Sequence, residues 1–390
     1  MKISDYVESQ IKGLWGTDFD ENGIPVIKTN NLTYEGHIDY SDICKRNITR
    51  EHAKECYLKP GDLLIEKSGG TKTHSVGYVS YFEGDENKFV CNNFILALRL
   101  KNTINSKFLF YQIQFKYESN QFSDCFNKTT GIQNLKVKDY LAKEIKIYSP
   151  EEQEKIVKEL DTVRLIINKN KQILEKYDIL IKSRFIEMFG DPQCITNNWE
   201  VKPLSDFCIV NPKKSELGPI PDDYELSFIP MQSVSENGNI DTSSIKHYKE
   251  VKTGFTYFRE NDVLFAKITP CMENGKGCVA RNLKNQLGFG STEFHVLRPI
   301  ETITNSEWIY RLTTFKTFRK EAENNMTGSA GQRRTPKEFF DKYKVGLPPI
   351  ELQNEFSTFV QQIDKSKFEI WRNLELCVII IQKVFYYDQL

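Results

Sequence analysis

The 390-residue chain has no net charge: 53 basic side chains are matched by 53 acidic ones. A basic excess of the kind that holds nucleic acid non-specifically is therefore absent from its composition. There is no Cys-x-x-Cys pair. The nine cysteines (44, 56, 91, 125, 194, 208, 271, 278 and 377) are odd in number and scattered, which excludes a disulfide framework or zinc module and leaves reduced, mostly buried thiols. Histidines 37, 52, 74, 247 and 295 stand apart, with no HExxH and no His–Cys cluster, so no metal site is expected. No uncharged apolar run approaches the roughly 20 residues of a membrane helix. The opening MKISDYVESQIKGLW lacks the apolar core of a secretory signal, so a cytoplasmic protein is expected. What the chain does have is 39% hydrophobic residues, enough for real cores, and a length suited to two domains or three small ones.

The chain repeats itself. Gly61-Asp62-Leu63-Leu64-Ile65-Glu66-Lys67 returns as Asn261-Asp262-Val263-Leu264-Phe265-Ala266-Lys267, and Gly77-Tyr78-Val79-Ser80 as Gly277-Cys278-Val279-Ala280. Ile27 followed by Gly36-His37-Ile38-Asp39 corresponds to Ile229 followed by Gly238-Asn239-Ile240-Asp241. Phe94-Ile95-Leu96-Ala97-Leu98-Arg99 resembles Phe294-His295-Val296-Leu297-Arg298, one residue shorter, and Thr130-Gly131 is echoed by Thr327-Gly328. Matches in one order at offsets of 197 to 202 residues define two diverged copies of one unit. In each copy short β-like runs are separated by turn residues, with a few amphipathic segments (106–117, 306–323) between them. This pattern predicts a mixed α/β globule with a curved, largely antiparallel sheet. Each copy then passes a proline (Pro150; Pro348-Pro349) into a long helical run.

Those runs have a narrow apolar seam. In the first it falls at Ile156, Leu160, Val163, Ile167, Asn170, Leu174, Tyr177, Ile181, Arg184 and Met188, in alternating steps of four and three. In the second it falls at Leu352, Phe356, Phe359, Ile363, Lys367, Ile370, Leu374, Cys377, Ile381 and Val384, with two successive four-residue steps around Lys367. A 3.5-residue period is that of a coiled-coil seam. Eight acidic and eight basic residues between Glu151 and Gly190 lie mostly off the seam. The only similar partner for either helix is the other, and a pseudo-twofold makes the pair antiparallel. About 33 residues give a rod of roughly 50 Å, or roughly 15 base pairs of DNA. Two related heads on a stiff rod suit a polymer of regular repeat, as two-half-site readers do. The polar Asn170 and Lys367 within the seam are suited to fixing register.

With these features the chain resembles the specificity (S) subunits of type I restriction–modification systems. The resemblance is carried by the turns at 61–67 and 261–267 and by the segments Thr130-Gly131-Ile132-Gln133-Asn134-Leu135 and Thr327-Gly328-Ser329-Ala330-Gly331-Gln332. It is carried further by the junctions Ser149-Pro150-Glu151-Glu152-Gln153 and Leu347-Pro348-Pro349-Ile350-Glu351-Leu352-Gln353, and by the linker from Phe185-Ile186-Glu187-Met188-Phe189-Gly190-Asp191-Pro192 to Trp199-Glu200-Val201-Lys202-Pro203-Leu204-Ser205-Asp206. One departure is that no Trp-x₄-Leu segment precedes Tyr6, so the first domain's opening is shortened or replaced. The resemblance implies an α+β protein: two pseudo-symmetric mixed α/β target recognition domains joined by two long helices that form an antiparallel coiled coil. The expected divisions are 1–149, first recognition domain; 150–192, first spacer helix; 193–347, second recognition domain; and 348–390, second spacer helix.

The same resemblance implies a non-catalytic reader of double-stranded DNA, each domain taking half of an interrupted target. Its implied partners are two N6-adenine methyltransferase (M) subunits and restriction/translocase (R) subunits, with S-adenosylmethionine, ATP and Mg in those partners and no cofactor in this chain. The two half-sites are expected to differ, and the neutral chain alone is expected to bind DNA weakly or not at all. A coiled-coil scaffold for protein partners is the alternative.

Phosphate contacts require cationic and polar donors, and base reading requires protruding side chains. Candidates in the first copy are Lys67, Ser68, Gly69, Gly70, Thr71 and Lys72, with Lys128, Thr130, Gln133 and Asn134. In the second they are Lys267, Thr269 and Lys276, with Gln332, Arg333 and Arg334. An ordinary solvated turn is the competing reading for each. Catalytic readings are poorer. Pro348-Pro349 sits in Leu-Pro-Pro-Ile, without the polar first residue and aromatic fourth residue of an adenine methyltransferase tetrapeptide. Thr71 stands where a phosphate-binding loop needs glycine before Lys72. Asp62, Glu66 and Lys67 suggest a nuclease set, but the second copy has Ala266 in place of Glu66.

Overall fold

The computed structural model describes residues 1–70, 74–128, 132–192, 199–329 and 331–386, with the side chains of Lys128 and Tyr386 excepted. They form two compact units: those within residues 1–171 together with 372–386, and those within residues 172–371. The expected start of the second domain, at 193, lies outside the described residues.

Each unit is built on the same four-stranded antiparallel sheet. In the first unit its order is Val7–Ile11, Ile95–Leu100, Leu63–Glu66, Val79–Tyr81. In the second it is Cys208–Val210, Phe294–Pro299, Val263–Ala266, Gly277–Val279. The strand after the repeated turn is buried on both faces, which is why it reads as an apolar run in both copies, with Glu66 the one polar residue. Alternate residues serve different cores: Leu63 and Ile65 join one cluster and Leu64 another, while Val263 and Phe265 separate from Leu264 and Ala266 in the same way.

Register corrects one sequence pairing. Glu66 lies opposite Ile95 and Ala266 opposite Phe294, so Ile95, not Phe94, is the counterpart of Phe294. Phe94 instead matches Glu293: its carbonyl accepts from the Lys67 amide at 2.8 Å, as that of Glu293 accepts from Lys267 at 2.9 Å.

The expected single curved sheet is instead a set of small sheets, several of which join strands far apart in the chain, as Val7–Ile11 joins Ile95–Leu100. Cys44–Arg46, Phe19–Ile27 and Val90–Cys91 form a second sheet whose last pair is parallel. Ile245–His247, Glu225–Ile229 and Leu287–Gly290 repeat that arrangement in the second unit, where Thr256–Arg259 adds an edge strand. The opening of the second domain pairs Val201–Pro203 with Lys344–Gly346. In the first unit a single bridge, Lys2 to Glu144, takes that place. Ile3 and Leu204 are both fully buried, and their amides donate to the carbonyls of Lys143 (3.1 Å) and Tyr343 (2.9 Å). Ile3 thus holds in the first unit the place that Leu204 holds in the second.

The long helices span Pro150–Phe189 and Ile350–Tyr386. The seam residues with described side chains are all buried or half-buried, while most residues between them are exposed. In the first unit Ile156, Leu160, Ile381 and Val384 pack against the domain core, and Val163 and Cys377 are buried. In the second unit Ile181, Phe185, Phe356 and Ile363 join the main core, with Phe359 partly buried against it. There Arg184 pairs with Glu355 at 3.0 Å and Asp178 with Lys367, so the helical segments within that unit run antiparallel. Lys367 meets a carboxylate from the opposing segment, which satisfies a cation on the seam. Ile167, Leu174, Ile370 and Leu374 are half-buried.

Candidate nucleic-acid interface

The repeated turns are structural anchors. Gly61 and Asn261 both adopt positive φ (94° and 67°), a conformation that glycine and asparagine tolerate best. The next residue, Asp62 or Asp262, is buried and held by a two-pronged arginine. Arg99 Nε and Nη2 donate to Asp62 at 3.0 and 2.7 Å, and Arg298 donates to Asp262 at 2.7 and 2.7 Å. Paired N–H···O bonds of this kind suit a buried carboxylate. Burial opposes the charge of Arg298, but Asp262 and Glu216 beside it raise its pKa overall. Asp62 is therefore occupied by a fold contact, and the nuclease reading of Asp62, Glu66 and Lys67 has no free carboxylate at that position.

A second matched joint ties each helix start to its domain. Gln153 Oε1 accepts from the Asn105 amide at 2.9 Å and its Nε2 donates to the Tyr148 carbonyl at 2.9 Å. Gln353 Oε1 accepts from the Asn305 amide at 3.1 Å and its Nε2 donates to the Pro348 carbonyl at 2.8 Å. Asn105 and Asn305 in turn cap the helices that begin at Ser106 and Ser306.

The candidate loops leave the opposite end of the same central strand. In the first unit Ser68–Gly69 pairs with Gln133–Leu135, which pairs with Phe126–Lys128. This brings Lys67, Ser68, Gly69 and Gly70 beside Gln133 and Asn134. Ser68 Oγ donates to Asn134 Oδ1 at 2.7 Å, and Gln133 Oε1 accepts from the Val76 amide at 3.3 Å. Thr71, Lys72 and Thr130 lie outside the described residues, as does the side chain of Lys128. In the second unit single bridges join Ile268 and Thr327 to Arg334, in the places of Ser68, Asn127 and Asn134. Lys267, Thr269, Gln332, Arg333 and Arg334 converge there.

Their chemistry is uneven. Arg334 forks onto Glu293 at 2.9 Å, and Glu293 is held below the usual carboxylate range chiefly by that hydrogen bond. Among the described residues Arg333 has only long ion pairs, 3.8 Å to Glu323 and 3.9 Å to Glu273. Lys276 donates to the Met231 carbonyl at 3.3 Å, and Thr269 Oγ1 donates to Glu273 at 2.7 Å. Gln332 is exposed.

Sequence reasoning missed the roles of Arg319, His295 and Tyr34 at these loops. Arg319 is buried, and its guanidinium donates to the carbonyls of Thr313 (2.6 Å), Met272 (3.0 Å) and Gly275 (3.2 Å), with Phe265 4.4 Å below it. Burial lowers its pKa to about 10, and it pins the loop after Lys267 from beneath. His295 is also buried, beside the Thr335 carbonyl at 2.8 Å, and burial lowers its pKa to about 4. In the first unit Tyr34 stacks on His74 at 3.8 Å and touches Tyr78. Beneath them Glu66 is buried, its pKa raised by burial, and its Oε2 has no hydrogen-bond partner among the described residues. Only the Arg99 and Arg298 pairing had a usable signal: both end the same repeated segment.

Among the described residues no group of three or more His, Cys, Asp or Glu is arranged for a metal. Eight cysteines are unpaired, six of them buried, and Cys194 lies outside the described residues. No described helix is long and apolar enough to cross a membrane.

Two units of one topology, each carrying a different loop set on a matched frame, define a duplicated protein. The family described as the type I restriction modification DNA specificity domain matches residues 3–190 and 196–376. The chain belongs to that family. It is 42% identical over 164 residues to the specificity subunit of the type I restriction enzyme EcoAI of Escherichia coli, covering 41% of this chain and 27% of that one. It is 38% identical over 156 residues to the EcoEI specificity subunit of Escherichia coli, covering 40% and 26%. The chain thus matches about a quarter of the length of these curated relatives. Among solved structures, a chain from a study of complex assembly and conformational transition in the type I R-M system superposes with a TM-score of 0.52 at 16% identity, covering 100% of this chain and 97% of that one. The S subunit of a type I restriction–modification system from M. genitalium gives a TM-score of 0.51 at 14% identity, covering 99% and 94%. At these identities the likeness is one of fold.

Proposed function

We propose that this chain is the DNA-reading subunit of a type I restriction–modification complex, in which each unit reads one half of an interrupted double-stranded target. The reading is carried by a contrast between frame and loops. The anchors correspond residue by residue (Asp62–Arg99 with Asp262–Arg298; Gln153–Asn105 with Gln353–Asn305). The loops they carry do not: Ser68, Gly69 and Asn134 face Ile268, Thr269 and Arg334 at matching places. A shared frame with divergent loops is what two different half-sites require.

The chain itself is non-catalytic in this proposal. Two N6-adenine methyltransferase subunits and restriction/translocase subunits would supply the chemistry and hold S-adenosylmethionine, ATP and Mg, and the complex would be cytoplasmic. The long helices would set the gap between half-sites. The neutral composition fits a reader that gains much of its phosphate grip from partners. Co-expression with the methyltransferase subunits should give a complex that protects two short segments flanking an unprotected gap. A single continuous footprint, or none, rejects the proposal in favour of a protein scaffold.

A further inference from the structure

We infer that Phe94 is a specificity-determining residue of the first unit and reads a thymine through its 5-methyl group. This rests on the DNA-reading role proposed above. Phe94 is 57% exposed, although phenylalanine is a residue that folding normally buries. It sits on a turn in which the Asn92 side chain accepts from its amide at 3.1 Å, and Asn92 itself is buried. Its carbonyl accepts from the amides of Lys67 (2.8 Å) and Ser68 (3.3 Å). The exposed ring is therefore carried on backbone bonded directly to the candidate reading loop.

The second unit shows what that position is used for in a different chemistry. Its structural counterpart, Glu293, makes the same backbone bond to Lys267 and spends its carboxylate on Arg334. One position thus carries a charged partner for an arginine in one unit and an unpaired apolar ring in the other. A phenyl ring offers neither donor nor acceptor to a base edge. The apolar group available on base edges is the C5-methyl of thymine in the major groove, which Phe is suited to contact.

The test uses the full chain in complex with its methyltransferase subunits and a duplex bearing its recognised sequence, established by mapping methylated adenines. Each thymine in the first unit's half-site is replaced in turn by deoxyuridine, which lacks only the methyl. The wild-type complex should lose about fourfold in affinity at one position, the factor expected for one buried methyl-sized group. Phe94→Ala should lose a similar factor on the thymine duplex and become indifferent to deoxyuridine there, and Phe94→Leu should keep the discrimination. A half-site without thymine overturns the inference. So does an unchanged F94A complex, an equal loss on thymine and deoxyuridine duplexes, or loss of the methyltransferase subunits from F94A. Failure of the DNA-reading role is separately visible as absence of sequence-dependent binding by the wild-type complex.

Discussion

Asp62 and Asp262 show how much of the frame depends on single side chains. Each is buried against a two-pronged arginine, and removing one partner strands the other charge in the interior. Arg99→Ala should therefore destabilise the first unit by about 3–5 kcal/mol, and Arg298→Ala the second, as measured by thermal or urea unfolding. His295 gives a pH dependence. Its folded pKa, about 4, lies below the ordinary value of 6.5, so the unfolded chain takes up the proton first as pH falls. The stability this imidazole contributes is complete above pH 6.5 and is lost between 6.5 and 4, on the order of 3 kcal/mol. A His295→Gln variant should show a correspondingly flatter unfolding profile across that window. Arg319 holds the carbonyls of Met272, Gly275 and Lys276 in the second unit's loop. Arg319→Met should impair reading of one half-site while leaving methylation dependent only on the other half unchanged in sequence preference. If the second unit's loop meets the DNA backbone, Arg333, with its long ion pairs, is better placed than Arg334 to hold a phosphate, and Arg333→Ala should then lower the salt dependence of binding by about one unit of slope.

At the scale of elements, the helices were the most legible part of the sequence. Their 3.5-residue period is a local property, and the seam it marks, from Ile156 to Met188 and from Leu352 to Val384, is withdrawn from solvent. The sheets were less legible because their strands are only two to nine residues long. Strands so short carry little periodicity, and the one-residue difference between the strands at Val79 and Cys91 shifted the pairing of Phe94 with Phe294. The loop chemistry was the least legible. Lys276 and Arg334 look like free cations in sequence, whereas their partners, Met231 and Glu293, lie 45 and 41 residues away. The junction glutamines stood out only as motif residues. Gln353, fully buried with four hydrogen bonds, should cost about 1–3 kcal/mol when changed to Ala, through the donors and acceptors it leaves unpaired. Hydrogen exchange should show the first turns of the helix at Ile350 loosening first.

For the whole molecule, duplication is the organising fact: one strand order, one anchored turn and one helix joint occur twice. The loops carried on that frame differ, and so do the proposed half-sites. If the long helices set the gap, adding seven residues to each, one full repeat of the seam, should lengthen the preferred gap without changing either half-site. The most direct measurement is to map N6-methyladenine across the DNA of cells that express this chain with its methyltransferase subunits. A bipartite reader gives one interrupted motif, two dissimilar short sequences at a fixed separation, which disappears when this chain is removed. A single uninterrupted motif, or methylation that persists without the chain, would contradict that role.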